Sequence, residues 1–115
     1  MIVPICRKFA PEFVLVSAGF DCDIRDPLGG LAVTPAGIAS MARACVELAE
    51  ECSGGRIVGV LEGGYDLEAI TDGVNVLIET LRGERRRPDP MTGDARRASP
   101  VLDRVRAAQS PYWRV

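Results

Sequence analysis

The stretch PEFVLVSAGFD, Pro11 to Asp21, holds a continuous apolar run from Phe13 to Val16 between Pro11 and Gly19. A short run without polar alternation, rich in β-branched residues, reads as a strand covered on both faces, the kind that parallel sheets use. Downstream, TPAGIASMARACVELAEECSGG reads as a helix. Thr34 is suited to the N-cap and Pro35 to the first helical position, and Gly54 and Gly55 stop the helix. Ile38, Met41, Ala42, Cys45, Ala49 and Cys52 follow three-four spacing and are expected on its inner face.

RIVGVL, Arg56 to Leu61, is a second strand of the buried type. After the EGGY turn, Asp66 is placed to cap a helix running to about Leu81. Leu67, Ile70, Val74, Leu77, Ile78 and Leu81 form its expected inner stripe, and Gly83 ends it. The order strand, helix, strand, helix predicts an α/β fold with a parallel sheet and crossover connections. Two parallel strands leave an edge on either side, so part of a larger sheet is expected. Met1 begins inside what reads as a helix before the first strand.

The chain of 115 residues has room for one domain. Its 47% apolar content suits a packed protein, and a formal net charge of −2 gives no broad attraction to nucleic acid or to an anionic membrane. No apolar run approaches a membrane span and the start is not signal-like, so a cytoplasmic location is expected. Cys6, Cys22, Cys45 and Cys52 have no metal-finger spacing and are expected to be reduced and structural. Residues 84–99 are charged and rich in proline and glycine, and read as a linker or surface loop. Within it the arginines at 85–87 read as a solvated run rather than a phosphate site. Residues 100–115 are expected to form a short helix and a tail, with Tyr112 and Trp113 packing back on the domain.

Function concentrates in two turns. In an open parallel sheet, ligands gather at the carboxyl ends of the strands. SAGFDCDIRDPLGG follows the first strand and LEGGYD the second, so both are expected on one rim. Asp23 and Asp26 fit ordinary turn chemistry, in which aspartates accept from nearby backbone N–H groups. Asp21 stands at the strand exit, where a bound cation would relieve its charge, although on pattern alone a turn role is equally open. Gly63 and Gly64 suit a tight strand-to-helix turn and leave space beside Tyr65, whose hydroxyl could donate to developing negative charge or be satisfied in a packed interior.

The segments PEFVLVSAGFDCDIRDPLGGLAVTPAG and GRIVGVLEGGYDL, in this order and spacing, resemble the carboxyl-terminal part of zinc-dependent histone deacetylases. The resemblance is to the class II-like group that includes acetoin-utilisation proteins and acetylpolyamine amidohydrolases. It runs from about Pro11 to Gly83, so residues 1–83 are expected to be the carboxyl-terminal portion of a catalytic domain. It implies an arginase-like three-layer sandwich and zinc-dependent removal of an acetyl group from a lysine side chain or a small acetylated amine. By position it implies that Asp21 is a zinc ligand and that Tyr65 donates to the substrate carbonyl. Leu28 would line the acyl-lysine tunnel, and Gly64 lies beside the tyrosine. The resemblance further implies an active ancestry from tyrosine at position 65 and a mild preference for acyl-lysine over polyamine substrates from leucine at position 28.

The chain contains no histidine. The family's other zinc ligands, an Asp-x-His pair, and its catalytic histidine pair lie upstream of the matched region. The isolated chain is therefore expected to be inactive, and the remainder of a deacetylase domain is the expected partner. Two other readings compete. An Asp21-x-Asp23 pair after a strand suits a Mg²⁺-dependent phosphoryl-transfer site, although Lys8 is the only lysine to serve it. A catalytically silent module that docks on a partner completing the sheet is the second.

Overall fold

The computed structural model describes residues 1–84 and 98–113. In chain order the elements are α1 (Ile2–Phe9), β1 (Val14–Ala18), α2 (Pro35–Ser53), β2 (Ile57–Leu61), α3 (Leu67–Leu81) and α4 (Ser99–Gln109). The strands pair in parallel, with Val14 opposite Ile57 and Ala18 opposite Leu61. The predicted strand-helix-strand-helix order is present, preceded by α1.

Local chemistry sets the helix ends. The Thr34 hydroxyl accepts from the Gly37 N–H at 3.3 Å, and Gly54 closes α2 in the left-handed region at φ 59°. The Asp66 carboxylate accepts from the Ala69 N–H at 2.8 Å and starts α3. Such caps are each worth about 1 kcal/mol.

The core lies between the sheet and the α2–α3 pair. Phe20, Ile38, Ala39 and Val76 form its buried centre, flanked by Ala18, Val33, Ile70, Val74 and Leu77. Phe20 is 3% exposed, and its burial contributes about 2–3 kcal/mol. Its ring lies against Gly73 of α3, where an added Cβ would fall 2.2 Å from a ring carbon.

Several expectations shift here. The buried residues of α2 are Ile38, Ala39, Ala42, Leu48, Ala49 and Ser53, whereas Met41 is exposed and Cys45 and Cys52 are half-buried. On α3 the buried residues are Ala69, Gly73 and Val76, whereas Leu67, Ile78 and Leu81 are exposed. The two helices pack extensively on each other, so small residues, which permit a close approach, take most of the buried positions. The four cysteines are free thiols, as expected.

The strands are not covered on both faces among the described residues. Leu77 of α3 reaches Gly59 on one side of the sheet, while Leu15, Val58 and Val60 are exposed on the other. The described residues therefore form two layers of the expected sandwich. Helix α4 makes no close contact with another named element, its Val101, Leu102 and Val105 are exposed, and Tyr112 is exposed while Trp113 is half-buried. Most of the 84–99 linker, including the arginines at 85–87, lies outside them. No helix of the described residues is long and apolar enough to cross a membrane.

Candidate functional site

The parallel pairing continues beyond the strands and binds the two turns together. The Glu62 N–H donates to the Ala18 carbonyl at 3.1 Å, and the Phe20 N–H donates to the Gly63 carbonyl at 2.8 Å. Both predicted turns therefore leave the same edge of the sheet. With the Phe20 ring in the core, Asp21 is the next residue out, at the rim.

Asp21 sits in a cradle of glycines from three segments. A Cβ on Gly19 would lie 3.0 Å from its Oδ1, and one on Gly63 would lie 3.0 Å from Oδ2 and 3.3 Å from Oδ1. A Cβ on Gly29 would overlap the Asp21 carbonyl oxygen at 1.6 Å. The carboxylate is half-buried and has no hydrogen bond or ion pair with another described residue. An unengaged carboxylate in so close a backbone setting suits a metal ligand better than a turn residue. The space made by Gly63 was expected beside Tyr65; it is filled instead by Asp21.

The neighbouring aspartates have different work. Asp23 is fully buried and accepts from the Arg25 backbone N–H at 2.9 Å and from its Nε at 2.9 Å. Arg25 Nη2 reaches the second Asp23 oxygen at 3.1 Å, and Nη1 donates to Asp72 of α3 at 2.8 Å. The Arg25 side-chain hydrogen bonds hold the Asp23 carboxyl below its ordinary pKa, against the upward push of burial. With both oxygens engaged, Asp23 cannot act beside Asp21 as the second member of a phosphoryl-transfer pair.

Asp26 joins the two turns. Its Oδ1 accepts from the Leu28 and Gly29 N–H groups, each at 2.9 Å, and its Oδ2 accepts from the Tyr65 N–H at 2.7 Å. Burial pushes its pKa up, but the N–H groups of Leu28, Tyr65, Gly29 and Asp66 together hold it below the ordinary carboxylate value. The turn role expected for Asp26 is present, but the bond across 39 residues to Tyr65 was not anticipated. The sequence signal was slight: an Asp-Pro-Leu-Gly-Gly turn reveals its local acceptor bonds and nothing of a distant donor.

Leu28 and Tyr65 stand exposed at this rim, on either side of the Asp26 carboxylate. Gly64 has φ +140°, and an added Cβ would lie 2.7 Å from an Ile70 side-chain carbon, so this position requires glycine for both reasons. The structure thus brings Asp21, Leu28, Gly64 and Tyr65 into one cluster of loops.

A family model described as the histone deacetylase domain matches residues 1–81. The chain belongs to the histone deacetylase family. Among its relatives in that family, polyamine deacetylase HDAC10 of Homo sapiens is 38% identical over 117 residues, covering 99% of this chain and 17% of that protein. Histone deacetylase 14, chloroplastic, of Arabidopsis thaliana is 44% identical over 84 residues, covering 73% of this chain and 20% of its own length. Among solved structures, the histone deacetylase Clr3 superposes with a TM-score of 0.87 at 30% identity, covering 99% of this chain and 18% of that one. The HD domain of HDA15 gives a TM-score of 0.77 at 37% identity and covers 98% and 29%. The chain therefore spans less than a third of the length of each of these four deacetylases, and its fold is part of the α/β deacetylase fold.

Deacetylases of this family are generally zinc-dependent, so the donors on the rim can be tested against that metal. Structural and catalytic zinc sites take three or four protein ligands. Among the described residues no group of three His, Cys, Asp or Glu side chains could hold a metal ion. Asp21 fits one ligand position; the residues present do not make a complete zinc site.

Proposed function

We propose that this chain contributes one side of a zinc-dependent deacylating centre acting on acetylated amines. Asp21 is one metal ligand in this reading, and the remaining ligands and the acid-base groups come from deacetylase sequence outside this chain. A bound Zn²⁺ would supply Lewis-acid polarisation of an amide carbonyl and a nucleophile at neutral pH. Tyr65 donates a hydrogen bond from its phenolic hydroxyl to the substrate oxygen as negative charge develops on it. A donor aimed at that charge is stronger in the transition state than in the ground state, which is what accelerates the reaction.

Leu28 forms an apolar wall for the aliphatic stem of the substrate. A neutral wall favours an acetyl-lysine side chain over a charged polyamine, because it offers no partner to a second ammonium group. Gly64 keeps the backbone beside Tyr65 free of a side chain. The observation carrying this reading is the unengaged Asp21 carboxylate in its glycine cradle, next to the loop that holds Tyr65.

The 115 residues by themselves are predicted to bind zinc weakly and to leave acetyl-lysine peptides intact. Joined to a complete deacetylase domain, the same segment should support hydrolysis. Turnover by the isolated chain would overturn the assignment of the missing groups; no turnover in the complete protein would overturn the deacylase reading. The exposed apolar face of Leu15, Val58 and Val60 favours a second reading, a silent module that docks on a partner. An Asp-x-His motif and a His-His pair in the same reading frame upstream would decide for the enzyme.

A further inference from the structure

Three features lie outside the roles assigned above: the bare sheet face, the Asp23–Arg25–Asp72 ion network, and the Asp26 carboxylate between the two turns. The last is carried furthest by the geometry. Asp26 is 8% exposed, yet one oxygen is filled by two N–H groups of its own turn and the other by the N–H of Tyr65. A buried carboxylate with donors from two loops fixes their separation to within a hydrogen bond, because releasing either donor leaves charge unsatisfied.

We propose that Asp26 is the positioning residue of the site, setting Tyr65 and Leu28 relative to each other and to the Asp21 cradle. The inference rests on the reading of Tyr65 as the donor to the substrate oxygen. Asp26 touches neither substrate nor metal in this account; it acts through the Tyr65 backbone. The geometry explains why acid rather than amide is required. Asparagine offers one acceptor oxygen, and its NH₂ group must face either the Tyr65 N–H or the Leu28 and Gly29 N–H groups, donor against donor. One loop is then released while the other is kept. Misplacing a reacting group by about 1 Å can cost on the order of a hundredfold in rate.

The test is a double-mutant cycle in the complete deacetylase carrying this segment, using an acetyl-lysine peptide. Asp26→Asn is expected to lower kcat about tenfold to a hundredfold with little change in KM. In a Tyr65→Phe background the same change is expected to lower kcat less than about threefold, since the donor it positions is already gone. Asp72→Asn breaks the ion pair from Arg25 to α3 but leaves the Asp26 bonds intact, and it is expected to preserve kcat. Hydrogen exchange gives a readout independent of turnover: Asp26→Asn should speed exchange at the Tyr65 amide at least about tenfold while the amides of central α3 are unchanged. Equal losses from Asp26→Asn in both backgrounds, or an unchanged Tyr65 amide, would overturn the positioning role. Undiminished turnover in Tyr65→Phe would instead overturn the reading of Tyr65 on which it rests.

Discussion

The rim and the open face of the sheet are built from the same two strands and resolved in opposite ways. At the rim, each polar turn finds its partners within the chain: Asp23 in Arg25, Asp26 in the amides of both loops, and Phe20 in the core against Gly73. On the open face, Leu15 and Val58, which are register partners, and Val60 remain exposed. The difference teaches that the geometry of the Asp21 and Tyr65 loops is set by glycines and aspartates of this chain, some of them far apart in sequence. The apolar strands, by contrast, carry a pattern whose burial the described residues do not complete. Exposed contiguous apolar surface of this kind usually marks a place where something else packs.

The contrast can be broken most sharply at Tyr65. In the complete deacetylase, Tyr65→Phe is expected to lower kcat about a hundredfold to a thousandfold with KM nearly constant, the cost of one donor to an oxyanion. Steady-state kinetics on an acetyl-lysine peptide measures it. A smaller effect is expected from the cradle. Gly63→Ala places a methyl group 3.0 Å from Asp21 Oδ2, so the carboxylate must move, and zinc affinity should fall about tenfold to a hundredfold in a competition titration.

Gly73→Ala tests the core below the rim. Its Cβ would meet the Phe20 ring at 2.2 Å, an overlap that no rotation of the ring plane alone removes, and destabilisation of about 1–3 kcal/mol is expected in a denaturant titration. The smallest effect concerns acid. The Asp23 carboxyl is held below its ordinary value of 3.8 by Arg25, so its contribution is full above that value and fades as pH falls through the lowered folded value. The thermal midpoint should therefore drop below about pH 4, and Asp23→Asn should flatten that decline.

Much of this was legible in the residues. Thr34, Gly54 and Asp66 mark their helix ends by chemistry that acts within a few residues, and the two charged turns follow apolar runs that pair as expected. The convergence of Asp21 and Tyr65 on one edge follows from parallel pairing alone. What escaped depends on long-range packing. Spacing gave α2 an apolar stripe through Met41 and Cys52; Ile38, Ala42 and Ala49 of that stripe are buried, but a close helix pair buries Ala39, Leu48 and Ser53 in place of the others. The bond from Asp26 to Tyr65 links residues that no local turn rule connects. Gly63 shows the same limit: the need for glycine was visible, while the group occupying its space was not.

The most direct measurement is zinc titration of the complete deacetylase in wild-type, Asp21→Ala and Tyr65→Phe forms, with turnover followed in parallel. The account predicts tight binding of one zinc in the wild type, a loss of affinity of at least about a hundredfold in Asp21→Ala, and full zinc occupancy without efficient turnover in Tyr65→Phe. Undiminished zinc affinity in Asp21→Ala would contradict it.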